Sequence, residues 1–130
     1  MFERKKMTVP KRSTSRLASF GHALRGLAVF ARQPNARIHL AAAALVTGLC
    51  WWLQIDVLEW LFIILAIVVV LAAEALNTAL EYAVDLASPE WSPLARDAKD
   101  VAAAAVLICS IGAAVVGVIV LAPYLVTVGD

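Results

Sequence analysis

The 130-residue chain lacks both of the common glycine-rich phosphate cradles. No G-x-x-x-x-G-K-[ST] occurs and no G-x-G-x-x-G, and six glycines are too few and too dispersed to build either loop. Metal-type clusters are missing too. His22 and His39 stand alone, while Cys50 and Cys109 lie inside apolar segments without ligand spacing. The cysteines read as small packing residues and imply neither a disulfide nor an oxidising compartment. Positive charge is confined: nine of the eleven Lys and Arg residues fall between Arg4 and Arg37, and the other two are Arg96 and Lys99. There is no internal repeat and no room for a separate soluble catalytic unit.

What the chain has in excess is apolar surface. Hydrophobic residues make up 62% of it, against roughly 45–50% in a soluble domain, which indicates a membrane protein. Three apolar stretches run from Ile38 to Ile55, from Val57 to Ala73 and on without Gly or Pro to Leu86, and from Val101 to Val126. Each approaches or exceeds the ~20 residues that a ~30 Å hydrocarbon layer requires. The expected fold is an all-α membrane protein with spans at about 37–55, 57–86 and 93–126. The loop between the first two spans carries Gln54, Asp56 and Glu59 and no Lys or Arg, whereas the N-terminal segment and the loop from Asp85 to Asp100 hold every basic residue. The positive-inside rule therefore puts the N-terminus in the cytoplasm and the C-terminus outside.

Ahead of the spans, residues 15–33 place Leu17, Phe20, Leu24, Leu27 and Ala31 at helical spacing, with His22, Arg25 and Arg32 opposite. That pattern predicts an amphipathic helix on the cytoplasmic surface, ended by Pro34. A signal peptide is rejected, because no apolar core or small-residue cleavage site follows the basic start. Residues 1–12 are expected to be a disordered basic tail, and residues 13–130 a single membrane domain.

The second span ends in "EALNTALEYAVD", residues 74–85. At ~100° per residue, Glu74, Asn77, Thr78, Glu81 and Asp85 share one face about 100° wide. Val57 lies 17 residues before Glu74, or about 25 Å of helix, so Glu74 is expected near the cytoplasmic edge of the hydrocarbon and Glu81 about 10 Å further out. Ionisable groups on a route across the membrane lie deeper. A row at headgroup level suits a reaction between a lipid's polar end and a cytoplasmic solute. A helix end whose carboxylates simply meet water is the plainer alternative.

The loop "SPEWSPLARDAKD" supplies a complement. Pro89 stops the second helix from continuing, and Ser92–Pro93 reads as the cap and first residue of the third. Arg96, Lys99 and Asp100 then fall in its first turns. Carboxylates able to hold a divalent cation, beside a lysine able to hold phosphate, are the minimum apparatus for phosphoryl transfer. A non-enzymatic trimeric membrane protein with a polar ion-handling or assembly interface stays open from the residues alone. So does a lipid-regulatory module binding anionic headgroups through Arg25 and Arg32.

Together, "EALNTALEYAVDL" and "PLARDAKDVAAAAVL" resemble the prokaryotic diacylglycerol kinase and undecaprenol kinase family of small membrane lipid kinases. The first stretch fits the family pattern E-x-x-N-[ST]-[AS]-[IL]-E-x-x-[VI]-D at every fixed position, and "GLAVFARQPNARIHL" is similar to the segment before the family's first span. The resemblance implies a homotrimer of three-span protomers, each preceded by a surface helix, in the bacterial cytoplasmic (inner) membrane. It implies ATP with Mg²⁺ as phosphate donor and a lipid alcohol as acceptor, giving phosphatidic acid or undecaprenyl phosphate, and no nucleic-acid partner. Carried over by position, Glu74 would be the catalytic base and Glu81 a metal ligand that also contacts nucleotide. Asn77 and Asp85 would orient the cluster, Lys99 and Asp100 would bind nucleotide with Glu90 and Ser92 close by, and Arg16 would contact phosphate. Gln33 stands where the family commonly has a second metal-binding glutamate; its amide oxygen can ligate Mg²⁺ without adding charge. "LNTALEYAVDL" and "HLAAAA" resemble the undecaprenol-type members somewhat more.

Overall fold

A computed structural model describes residues 15–128, which form four helices and no strand. The tail expected over residues 1–12 lies outside the described residues. Helix α1 spans Arg16–Phe30, α2 Pro34–Leu53, α3 Val57–Ala87 and α4 Pro93–Val128. The last three are long and apolar enough to cross a membrane.

The helix starts follow local chemistry. Ser15 caps α1 by accepting from the Ala18 N–H at 3.1 Å. Asp56 and Glu59 form a reciprocal capping box at the start of α3, each contact 2.9 Å. Ser92 precedes α4, with its Oγ 3.5 Å from the Ala95 N–H. Pro34 differs from expectation: it opens α2 as well as bounding α1. Its ring pushes the preceding Gln33 out of the helical region, to ψ 136°, and its fixed φ suits a first helical residue. The first span thus begins at Pro34 rather than near 37, and α1 stops at Phe30 rather than 33.

Between α2 and α3 the chain turns in very few residues. Gln54 takes the left-handed conformation (φ 54°) as the C-cap of α2, and the Ile55 N–H reaches back to the Cys50 carbonyl at 3.4 Å. That tight turn makes α2 and α3 antiparallel neighbours. Helix α3 packs along α4 as its principal partner and along α2 to a lesser extent.

The buried apolar cluster gathers near this turn: Cys50, Ile55, Ile63, Val120 and Leu121, with Trp60 and Tyr124 packed against it. Elsewhere the large apolar side chains face outward, among them Leu45, Leu61, Leu65, Val68, Ile108 and Ile119. This inversion of the soluble pattern is what a hydrocarbon surrounding favours. At 1.5 Å per residue, the 31 and 36 residues of α3 and α4 extend well past a ~30 Å hydrocarbon layer. Their polar ends can therefore lie beyond it.

Candidate functional site

Among the described residues, three polar residues are buried as a whole, and they share one helix. Glu74, Asn77 and Thr78, all on α3, are 3%, 5% and 8% exposed. Helical periodicity stacks them on the face α3 turns inward, continued one turn on by the half-buried Glu81. Asn77 Nδ2 donates to Glu81 Oε1 at 3.1 Å. Its own carbonyl oxygen is buried with no hydrogen-bond partner. Leaving such an acceptor unmet costs about 1–3 kcal/mol, so this oxygen is available to a donor or cation at the row.

Further along the same face, Asp85 accepts from Lys99 Nζ of α4. The pair is partly open to water, with side chains 62% and 37% exposed. The short α3–α4 connection holds the two residues together, and the ammonium is accessible for exchange onto a more strongly charged anion. Arg96 bonds Asp97 at 2.9 Å and reaches Asp100 at 4.0 Å, so Asp100 is tied along its own helix. Glu90 is exposed, with its carbonyl accepting from Ser88 Oγ at 3.0 Å.

Of the residues singled out from sequence, the structure thus joins Asn77 to Glu81 and Asp85 to Lys99, with Glu74 buried in the same row. It brings Gln33 to α3 by a hydrogen bond from Nε2 to the Tyr82 hydroxyl. Arg16 opens α1, exposed, and makes no ion pair or side-chain hydrogen bond among the described residues. Ser92 and Glu90 stay with the α3–α4 connection. Two residues escaped the sequence reading. Tyr82 offered no signal beyond standing next to Glu81. His39 of α2, in the sequence only a lone histidine, lines an apolar cavity of about 530 Å³ among α2, α3 and α4. A lone histidine has no periodic signature to reveal it.

Among the described residues no group of three or more His, Cys, Asp and Glu is gathered as a metal cage. A magnesium ion does not require one. It takes one or two carboxylates and completes its shell with water and substrate phosphate. The donor chemistry fits: a Glu81 carboxylate and, one turn away, the unpartnered Asn77 carbonyl are both hard oxygens.

Comparison with known proteins bears on the same region. A protein-family profile described as "Prokaryotic diacylglycerol kinase" matches residues 21–121. The chain is 38% identical over 108 residues to the undecaprenol kinase of Bacillus subtilis (strain 168), covering 82% of this chain and 88% of that protein. It is 32% identical over 102 residues to the diacylglycerol kinase of Escherichia coli (strain K12), covering 78% and 84%. A diacylglycerol kinase of Synechocystis sp. is 39% identical over 111 residues, 84% of this chain but 63% of that longer relative.

Proposed function

The chain belongs to the prokaryotic diacylglycerol kinase family, and from that premise we propose how and where this membrane lipid kinase, with ATP as its phosphate donor, works. The reaction takes place at the cytoplasmic face of the bacterial inner membrane. The acceptor is the terminal hydroxyl of a membrane lipid alcohol, diacylglycerol or undecaprenol, and the product is phosphatidic acid or undecaprenyl phosphate. The observation that carries this reading is the continuous polar row of α3 with Lys99 of α4 bonded to its outer member, Asp85.

Along that row the roles divide by burial. Glu74, shielded from water on the inner side, takes the proton of the lipid hydroxyl. The hydroxyl oxygen forms the new bond to the γ-phosphorus, the bond to the β–γ bridging oxygen breaks, and ADP leaves with that electron pair. Burial of the base favours transfer to lipid over transfer to water, because solvent has little access to it. Glu81 would hold Mg²⁺, with the Gln33 amide oxygen as a neutral second ligand, while Asn77 Nδ2 fixes the Glu81 carboxylate. When bound, the ion neutralises charge on the transferring phosphate. Lys99 releases Asp85 to hold the nucleotide phosphates, and Asp85 then orients the cluster. Asp100, Glu90 and Ser92 border the nucleotide at the start of α4, and Arg16 of α1 contacts phosphate from above. Helix α1 lies on the membrane surface with Leu17, Phe20, Leu24 and Leu27, all exposed, turned into the lipid. The working unit is a homotrimer.

The test is a side-by-side assay in mixed micelles with γ-labelled ATP and either diacylglycerol or undecaprenol. Label should enter at least one lipid, and the preferred one names the acceptor. ATP hydrolysis that ignores both lipids would overturn the proposal and favour the non-enzymatic or ion-handling alternative.

A further inference from the structure

Gln33 occupies the N-cap position of α2, yet its side chain makes no capping hydrogen bond. It reaches instead to α3, 49 residues away in sequence, where its amide nitrogen donates to the Tyr82 hydroxyl. Among the described residues no other side-chain hydrogen bond ties the α1–α2 turn to α3. Tyr82 follows Glu81 directly on α3, so the two side chains leave the helix about 100° apart.

The chemistry of the amide gives this contact a consequence. A glutamine side chain has a donating end and an accepting end of nearly the same size, and only the oxygen can face a cation. A carboxylate offers oxygen whichever way it rotates. A glutamine serving a metal site therefore needs an outside group to fix its rotation; here the Tyr82 hydroxyl accepts from the amide nitrogen, and the amide oxygen has no hydrogen-bond partner among the described residues. Ligand-orienting contacts of this kind are a general requirement of metal sites.

We propose that Tyr82 is a positioning residue of the metal site, holding the Gln33 amide nitrogen so that the carbonyl oxygen serves as the neutral second ligand beside Glu81. The inference rests on the assignment of Gln33 and Glu81 as metal ligands given above. It makes Tyr82 the residue that lets an amide stand in for a carboxylate in this chain.

The experiment measures Mn²⁺ binding by electron paramagnetic resonance on the full-length protein in micelles, with an unreactive ATP analogue present. Four proteins are compared: wild type, Tyr82→Phe, Gln33→Glu and the double variant. Tyr82→Phe removes one oxygen from a side chain that is 46% exposed and keeps the ring, so folding should survive, as gel filtration will verify. Its Mn²⁺ midpoint should rise about tenfold. In the Gln33→Glu background the same change should leave the midpoint nearly where it was, since a carboxylate needs no such hold. A Tyr82→Phe protein that binds Mn²⁺ like wild type overturns the inference. So does an equal weakening in both backgrounds, which would mean that Tyr82 acts without Gln33. The readout is independent of acceptor chemistry: absence of transfer to both lipids in the wild type overturns the proposed function, while an unmoved metal midpoint overturns only the role of Tyr82.

Discussion

Glu74 and Glu81 are two turns apart on one helix, yet the structure gives them different surroundings, and different defects should follow. Glu74 is buried and carries the proposed proton transfer, so Glu74→Gln should retain nucleotide binding and lose at least about 10²–10⁴-fold in turnover, the usual range for a missing general base. Glu81→Gln removes the charge of the proposed metal ligand, so it should also raise the Mg²⁺ requirement. Isothermal titration with ATP beside a steady-state assay separates the two, and normal turnover in either variant would contradict its role. Asn77→Asp is the sharper probe of packing. It replaces a donor to Glu81 with a third carboxylate, beside Glu74 and Glu81, in a site with little water, where a like charge without a counter-ion costs several kcal/mol. Low melting temperature in the absence of Mg²⁺, partly restored by adding it, is the expected result.

Helices α3 and α4 are pinned together at both ends, and the two pins should answer differently. At the outer end of the polar row, Lys99–Asp85 is a partly exposed ion pair, worth no more than about 1 kcal/mol. Lys99→Met should therefore barely change melting while raising the KM for ATP strongly. At the opposite end, beside the apolar cluster, Tyr124 donates to Glu59. Tyr124→Phe should lower stability by about 1 kcal/mol, read as melting in detergent, with KM for ATP and turnover unchanged. These pins also show which parts of the site could be read in advance. The row from Glu74 to Asp85 follows from helical geometry alone, and Lys99 meets it because Pro89 and Ser92–Pro93 keep the connection short. Glu59 and Tyr124 lie 65 residues apart, and Gln33 and Tyr82 49. Such pairs depend on how two helices cross, and no local pattern encodes that. Pro34 was legible as a helix breaker, but its second use as a helix starter depended on the chain resuming as α2.

For the molecule as a whole, the polar row, the α1–α2 turn and the start of α4 lie at one end of the bundle, and the apolar cluster lies at the other. In the proposed reaction ATP and the lipid hydroxyl meet at the first end, which requires that end to face the cytoplasm. The charge asymmetry agrees, because Lys and Arg are confined to the segment up to Arg37 and to the first turns of α4. Single cysteines can read this directly, since native Cys50 is buried and Cys109 is partly buried within α4. Pro89→Cys sits exposed in the α3–α4 connection, and Val57→Cys sits exposed at the start of α3. A membrane-impermeant maleimide applied to spheroplasts should label Val57→Cys and spare Pro89→Cys. Inside-out vesicles should give the reverse. If Pro89→Cys were labelled from outside, the row would face away from cytoplasmic ATP. The arrangement of Glu74, Glu81 and Lys99 would then need a different donor on the other side of the membrane.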